Sequence, residues 1–69
     1  MDVRARIGAN LKELRGSKGL SQEELAHRAE VHQTYLSGVE RGKRNASVVV
    51  LQRIAVALDS DIAVLTAPR

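Results

Sequence analysis

Apolar residues recur along this chain at intervals of three and four, and polar start signals cut the pattern into short pieces. A chain patterned in this way folds as several short helices. Val3, Ile7, Leu11 and Leu14 set a first helix over about 3–17. Gly19 follows as a left-handed cap candidate, and Leu20 packs inward. Ser21 and Glu24 form a capping box, in which the hydroxyl accepts from the Glu24 amide and the carboxylate reaches back. It opens a second helix, about 21–29, with Leu25, Ala26 and Ala29 on one face. Glu30, Val31 and His32 break the pattern. A third helix follows at about 33–41, anchored by Leu36 and Val39 and ended by Gly42. After the Asn45–Ala46 loop, Ser47 caps a fourth helix over about 48–58. Its expected inward face is Val48, Leu51, Ile54, Ala55 and Leu58. Asp61 caps a last short helix carrying Ile62 and Leu65. The sole aromatic is Tyr35 and the sole proline is Pro68, so the core must be aliphatic. The expected fold is all-α, a compact five-helix bundle with residues 1–69 as one domain.

A chain of 69 residues buries only roughly 60% of its unfolded surface, so its stability margin is thin. Disulfides, metals or association support domains this small. Cysteine is absent, which excludes the first and agrees with a reducing compartment. His27 and His32 lie five apart, with no thiolate and no paired carboxylate at ligand spacing, so no metal is expected. Association remains. No apolar run approaches ~18 residues, so no membrane span is expected. The start, MDVRARIGANLKEL, lacks the apolar centre of a signal peptide. There is no Ser/His/Asp array at a credible site and no phosphate-binding glycine loop, so neither catalysis nor a cofactor is expected.

The net charge of +3 suits nucleic acid modestly, and its distribution says more. Residues 1–20 carry five bases and two acids, residues 21–40 one base and four acids. Arg41, Lys43 and Arg44 then follow without an acid. A basic arm and a short basic cluster flank an acidic middle.

Two short helices joined by about three residues have the spacing of a DNA-reading motif, here about 21–41. The segments S-Q-E-E-L-A (21–26), Val31, Y-L-S (35–37) and E-R-G-K-R-N (40–45) resemble the Cro/C1-type, XRE-like helix-turn-helix family. That family includes phage repressors, restriction–modification controllers and many antitoxins. The resemblance covers about residues 7–65 and implies a lambda-repressor-like DNA-binding domain. It further implies a bacterial, cytoplasmic regulator, bound to the nucleoid when on DNA, with double-stranded DNA as partner.

The resemblance places the N-terminal part of the third helix in the major groove. Gln33, Thr34, Ser37 and Gly38 project outward there, with His32 at the start. Gln33 is the leading base reader, because a primary amide donates and accepts together and so suits adenine N6 and N7. Thr34 offers a methyl to thymine or a hydroxyl to phosphate. His32 is a poor helix cap at a groove-facing position, which points to a DNA contact. Ser37 joins these as a base or backbone contact. Gln22 starts the second helix, where free amides and the dipole favour a phosphate. Arg41, Lys43 and Arg44 are expected on phosphates. The resemblance also implies an ion pair between Arg15 and Glu40, tying the first helix to the third.

Several residues depart from the family pattern. Glu30 stands where glycine is frequent, and a positive φ there would strain it by roughly 1 kcal/mol. Gly38 sits inside the recognition helix, at about 1 kcal/mol relative to alanine, and close approach of its backbone to DNA would offset that. Ala46 stands where proline is usual. Asp59 and Ser60 replace a glycine and a buried aliphatic, which predicts a loosely packed last helix.

Val49, Val50, Val56 and Val64 fall outside the expected inward stripes. Clustered exposed apolar residues suggest an interface, and a two-fold homodimer through the last two helices is expected, acting on a pseudo-palindromic operator. The chain ends four residues past Leu65, so no ligand-sensing domain and no small-molecule ligand are expected. Glu23, Glu24 and Glu30 could meet RNA polymerase, although the helix dipole alone accounts for acids at a helix start. The alternative reading is an antitoxin, or another protein-interaction module, gripping a toxin through the valines.

Overall fold

A computed structural model describes residues 1–69. Five helices follow in order: α1 (Val3–Ser17), α2 (Gln22–Ala29), α3 (Gln33–Glu40), α4 (Val48–Ala57) and α5 (Ile62–Leu65). Side-chain caps start four of them. The Asp2 carboxylate accepts from the Arg4 amide at 2.7 Å. The Arg4 side chain also donates to it and holds the Asp2 carboxyl below its ordinary pKa. Ser21 accepts from the Glu24 amide at 3.0 Å, Ser47 from the Val50 amide at 3.1 Å, and Asp61 from the Ala63 amide at 2.8 Å. Such caps contribute typically ~1 kcal/mol each. The capping box is only half formed. The Glu24 carboxylate pairs with Arg28 one turn on, at 3.1 Å, rather than reaching back.

α1 packs on α3 and α5, α2 on α3 and α4, and α4 on α5. Eleven aliphatic residues form the core, with every helix contributing. Leu11, Leu25, Leu36, Val39, Ile54, Leu58 and Leu65 are fully buried. Tyr35 lies half-buried against its edge. At Gly8, α1 passes so close to α3 that a Cβ would lie 2.5 Å from the carbonyl oxygens of Val39 and Glu40. Only glycine allows that spacing.

The motif's turn begins at Glu30, in left-handed backbone at φ 58° and ψ 45°. This non-glycine residue therefore carries the strain anticipated from the sequence. Arg53 of α4 offsets it. Its Nη2 donates to the carbonyls of Ala29 at 2.8 Å and Glu30 at 2.7 Å. These lie at a helix end, where carbonyls lack intrahelical partners.

Three expectations need correction. Val48 is 71% exposed rather than inward. Val50, assigned to the association surface, is half-buried and packed against the core. At about 100° per residue both valines border the α4 stripe, so neighbouring elements decide which one is covered. The last helix is not loose. Asp59 adopts φ 57°, the turn closes, and Leu65 is fully buried. Buried Asn10 of α1 secures it. Its Nδ2 donates to the carbonyls of Leu65 at 2.9 Å and Ala67 at 2.8 Å, while its Oδ1 accepts from Arg69 at 2.8 Å.

Candidate nucleic-acid interface

α3 is short and amphipathic. Leu36 and Val39 bury one side, so the residues a half-turn away must face water. His32, Gln33 and Thr34 are exposed and Ser37 is half-buried. Gln33, Thr34 and Ser37 join Gln22 and Arg41 in lining a shallow depression with no apolar residue. His32 occupies the N-cap position of α3 but makes no side-chain cap bond. Its ring and the first amides of α3 are therefore not paired with each other.

A buried carboxylate sets this face. The Glu40 side chain is 3% exposed, and Arg15 Nε donates to its Oε2 at 2.7 Å. Arg15 Nη2 adds a second bond to Oε1 at 3.1 Å, and Nη1 donates to the Leu20 carbonyl at 2.9 Å. This forked arrangement is the strong form of an ion pair. Hydrogen bonding to Glu40 raises the Arg15 pKa above its ordinary value, so the guanidinium stays charged. Gln22 Nε2 also donates to Glu40 Oε1, at 3.0 Å. One carboxylate at the end of α3 thus joins that end to the start of α2 and to α1. The sequence offered no local signal for the Gln22–Glu40 bond, which spans eighteen positions.

The basic cluster begins where α3 ends. Arg41, Lys43 and Arg44 are all exposed, and Arg41 Nε donates to the Ser37 carbonyl at 3.3 Å. Gly38 differs from its expected role. It is buried rather than outward-facing, because the Arg44 stem covers it. The Arg44 guanidinium carbon lies 5.9 Å from the centre of the Tyr35 ring. Glycine within a helix signals close approach, but the sequence did not show that the approaching group is a side chain of this same chain.

Val49, Val56 and Val64 are 69%, 64% and 45% exposed. They lie on α4 and α5, apart from the polar depression. No cluster of three His, Asp or Glu side chains could hold a metal, and no helix is long and apolar enough to cross a membrane.

Two short helices joined through a left-handed turn, the second with a polar outer face, define a helix-turn-helix protein. The helix-turn-helix family profile matches residues 11–65, and the chain belongs to that family. It is similar to an uncharacterised HTH-type transcriptional regulator of Sinorhizobium fredii, 48% identical over 58 residues, which are 84% of this chain and 75% of that protein. Control protein C.MunI of Mycoplasma sp is 45% identical over 83% of this chain and 78% of its own length. Among solved structures, the restriction-modification controller protein C.AhdI from Aeromonas hydrophila superposes with a TM-score of 0.88. It is 45% identical and covers 90% of this chain and 94% of its own. These relatives are regulators and control proteins rather than enzymes.

Proposed function

We propose that residues 1–69 act as one DNA-binding unit, a transcriptional regulator that reads a pseudo-palindromic operator as a homodimer. The outer face of α3 enters the major groove. Gln33 reads adenine with its amide, Thr34 and His32 contact neighbouring base edges, and Ser37 lies with them. Gln22, Arg41, Lys43 and Arg44 hold phosphates, which fix register without specifying sequence. Two copies meet through Val49, Val56 and Val64, with Val50 serving as core support beneath. Half-sites then lie about 34 Å apart, one turn of duplex. The observation that carries this reading is the polar depression of Gln22, Gln33, Thr34, Ser37 and Arg41, flanked by the basic cluster.

Selection from a random duplex pool, followed by gel shift at low ionic strength, tests it. A two-fold related consensus is expected. Gln33→Ala should lose roughly 1–3 kcal/mol at one position of that consensus, whereas Lys43→Ala should weaken all duplexes alike. No retardation of any duplex would refute the proposal.

A further inference from the structure

Gly38 and Tyr35 form a seat for Arg44. A Cβ at position 38 would stand 2.6 Å from Arg44 Cγ and 3.7 Å from its Cβ and Cδ. The arginine stem therefore occupies the volume that any other residue would fill. Beyond the stem, the guanidinium reaches the Tyr35 ring, 5.9 Å from its centre. Tyr35 is itself held against the core. The Lys43 amide donates to the Gly38 carbonyl at 2.9 Å, fixing the backbone just before Arg44. Three observations thus place one exposed, flexible cation in one position.

That position flanks the face of α3. At about 100° per residue, Gly38 and Tyr35 lie beside Thr34 and opposite the side bordered by Gln33 and Glu40. Gln22, held by Glu40, stands on the latter side. The two flanks of α3 therefore each carry a restrained donor. An unrestrained arginine loses rotamer freedom when it grips a phosphate, and one already seated loses less.

We propose that Gly38 is a positioning residue. Its missing side chain lets Arg44 lie across α3 onto Tyr35, and this pre-organises Arg44 for a DNA phosphate. This rests on the DNA-binding reading above. The glycine that weakens the helix is also what admits the arginine stem.

The test uses the full chain and a mixed-sequence duplex, since phosphate contacts are independent of sequence. Gly38→Ala should melt no lower than wild type, because alanine favours the helix. It should nevertheless bind the duplex roughly two- to ten-fold more weakly. Arg44→Ala should also bind more weakly, and adding Gly38→Ala to it should cause no further loss. Tyr35 is the only tyrosine, and phenylalanine and tryptophan are absent, so its phenol ring resonances report the seat directly. Gly38→Ala and Arg44→Ala should shift them in the same way. Tyr35→Leu provides a second route, and its loss should likewise vanish when Arg44 is absent. Unmoved ring resonances, additive losses, or tighter binding by Gly38→Ala would overturn the proposal. Wild-type protein that binds no duplex would instead sink the underlying reading.

Discussion

Alanine at position 8 should destabilise this protein although alanine is the better helix former. In an open helix the replacement of glycine by alanine gains about 1 kcal/mol. At Gly8 the added Cβ would stand 2.5 Å from two backbone oxygens of α3, those of Val39 and Glu40. Backbone cannot rotate aside as a side-chain tip can, so α1 and α3 must separate. Overpacking of this kind costs roughly 1–3 kcal/mol, and a double backbone clash belongs at the upper end. The net expectation is a loss of about 2 kcal/mol. Unfolding entropy near 2.1 cal/mol/K per residue, over 69 residues, converts this to a fall in Tm of roughly 14 °C. Gly16 supplies the control within the same helix. A Cβ there meets nothing within 4 Å, so Gly16→Ala should raise Tm by roughly 7 °C. Circular dichroism melts at one fixed protein concentration measure both. If Gly8→Ala melts at or above the wild-type temperature, the claim of a glycine-dependent helix crossing is wrong.

Removing charge from Glu40 while keeping its shape, as in Glu40→Gln, should cost roughly 1.5–3 kcal/mol in urea unfolding, because charged hydrogen bonds to Arg15 are lost. It should also free Gln22, measurable as faster side-chain amide motion by NMR. Asn10→Ala should cost roughly 1–3 kcal/mol through unsatisfied partners and speed amide exchange over residues 62–66. Unchanged exchange there would mean that Asn10 does not secure α5. Replacing Val49 and Val56 together with glutamate should yield monomers by light scattering without lowering monomer helicity, and an unaltered mass would remove both valines from the interface.

The helix limits were legible because their causes are local. Ser21, Ser47 and Asp61 each bond an amide two or three residues away, and the buried stripes repeat within a few turns. The left-handed turn at Glu30 was anticipated only through the family resemblance, which places glycine there, since nothing local marks a glutamate for positive φ. Features set by distant segments were not. Asn10 meets carbonyls 55 and 57 positions away, and nothing in its neighbours marks it as buried. Val48 and Val50 share residue type and border the same stripe, so only the packed neighbours could separate them. On the candidate DNA face the exposed residues of α3 followed from the burial of Leu36 and Val39. The covering of Gly38 did not, because it depends on where a loop arginine comes to rest.

The bonds from Arg53 to the carbonyls of Ala29 and Glu30 bear on how portable the two-helix motif is. Arg53 holds the joint between α2 and α3 from α4, and Arg15 holds the far end of α3 through Glu40 from α1, so the motif is braced from outside at both ends. A peptide cut to residues 21–41 would leave both arginines behind. Grafting the reading surface onto another scaffold therefore means carrying these two external braces with it, or building substitutes for them.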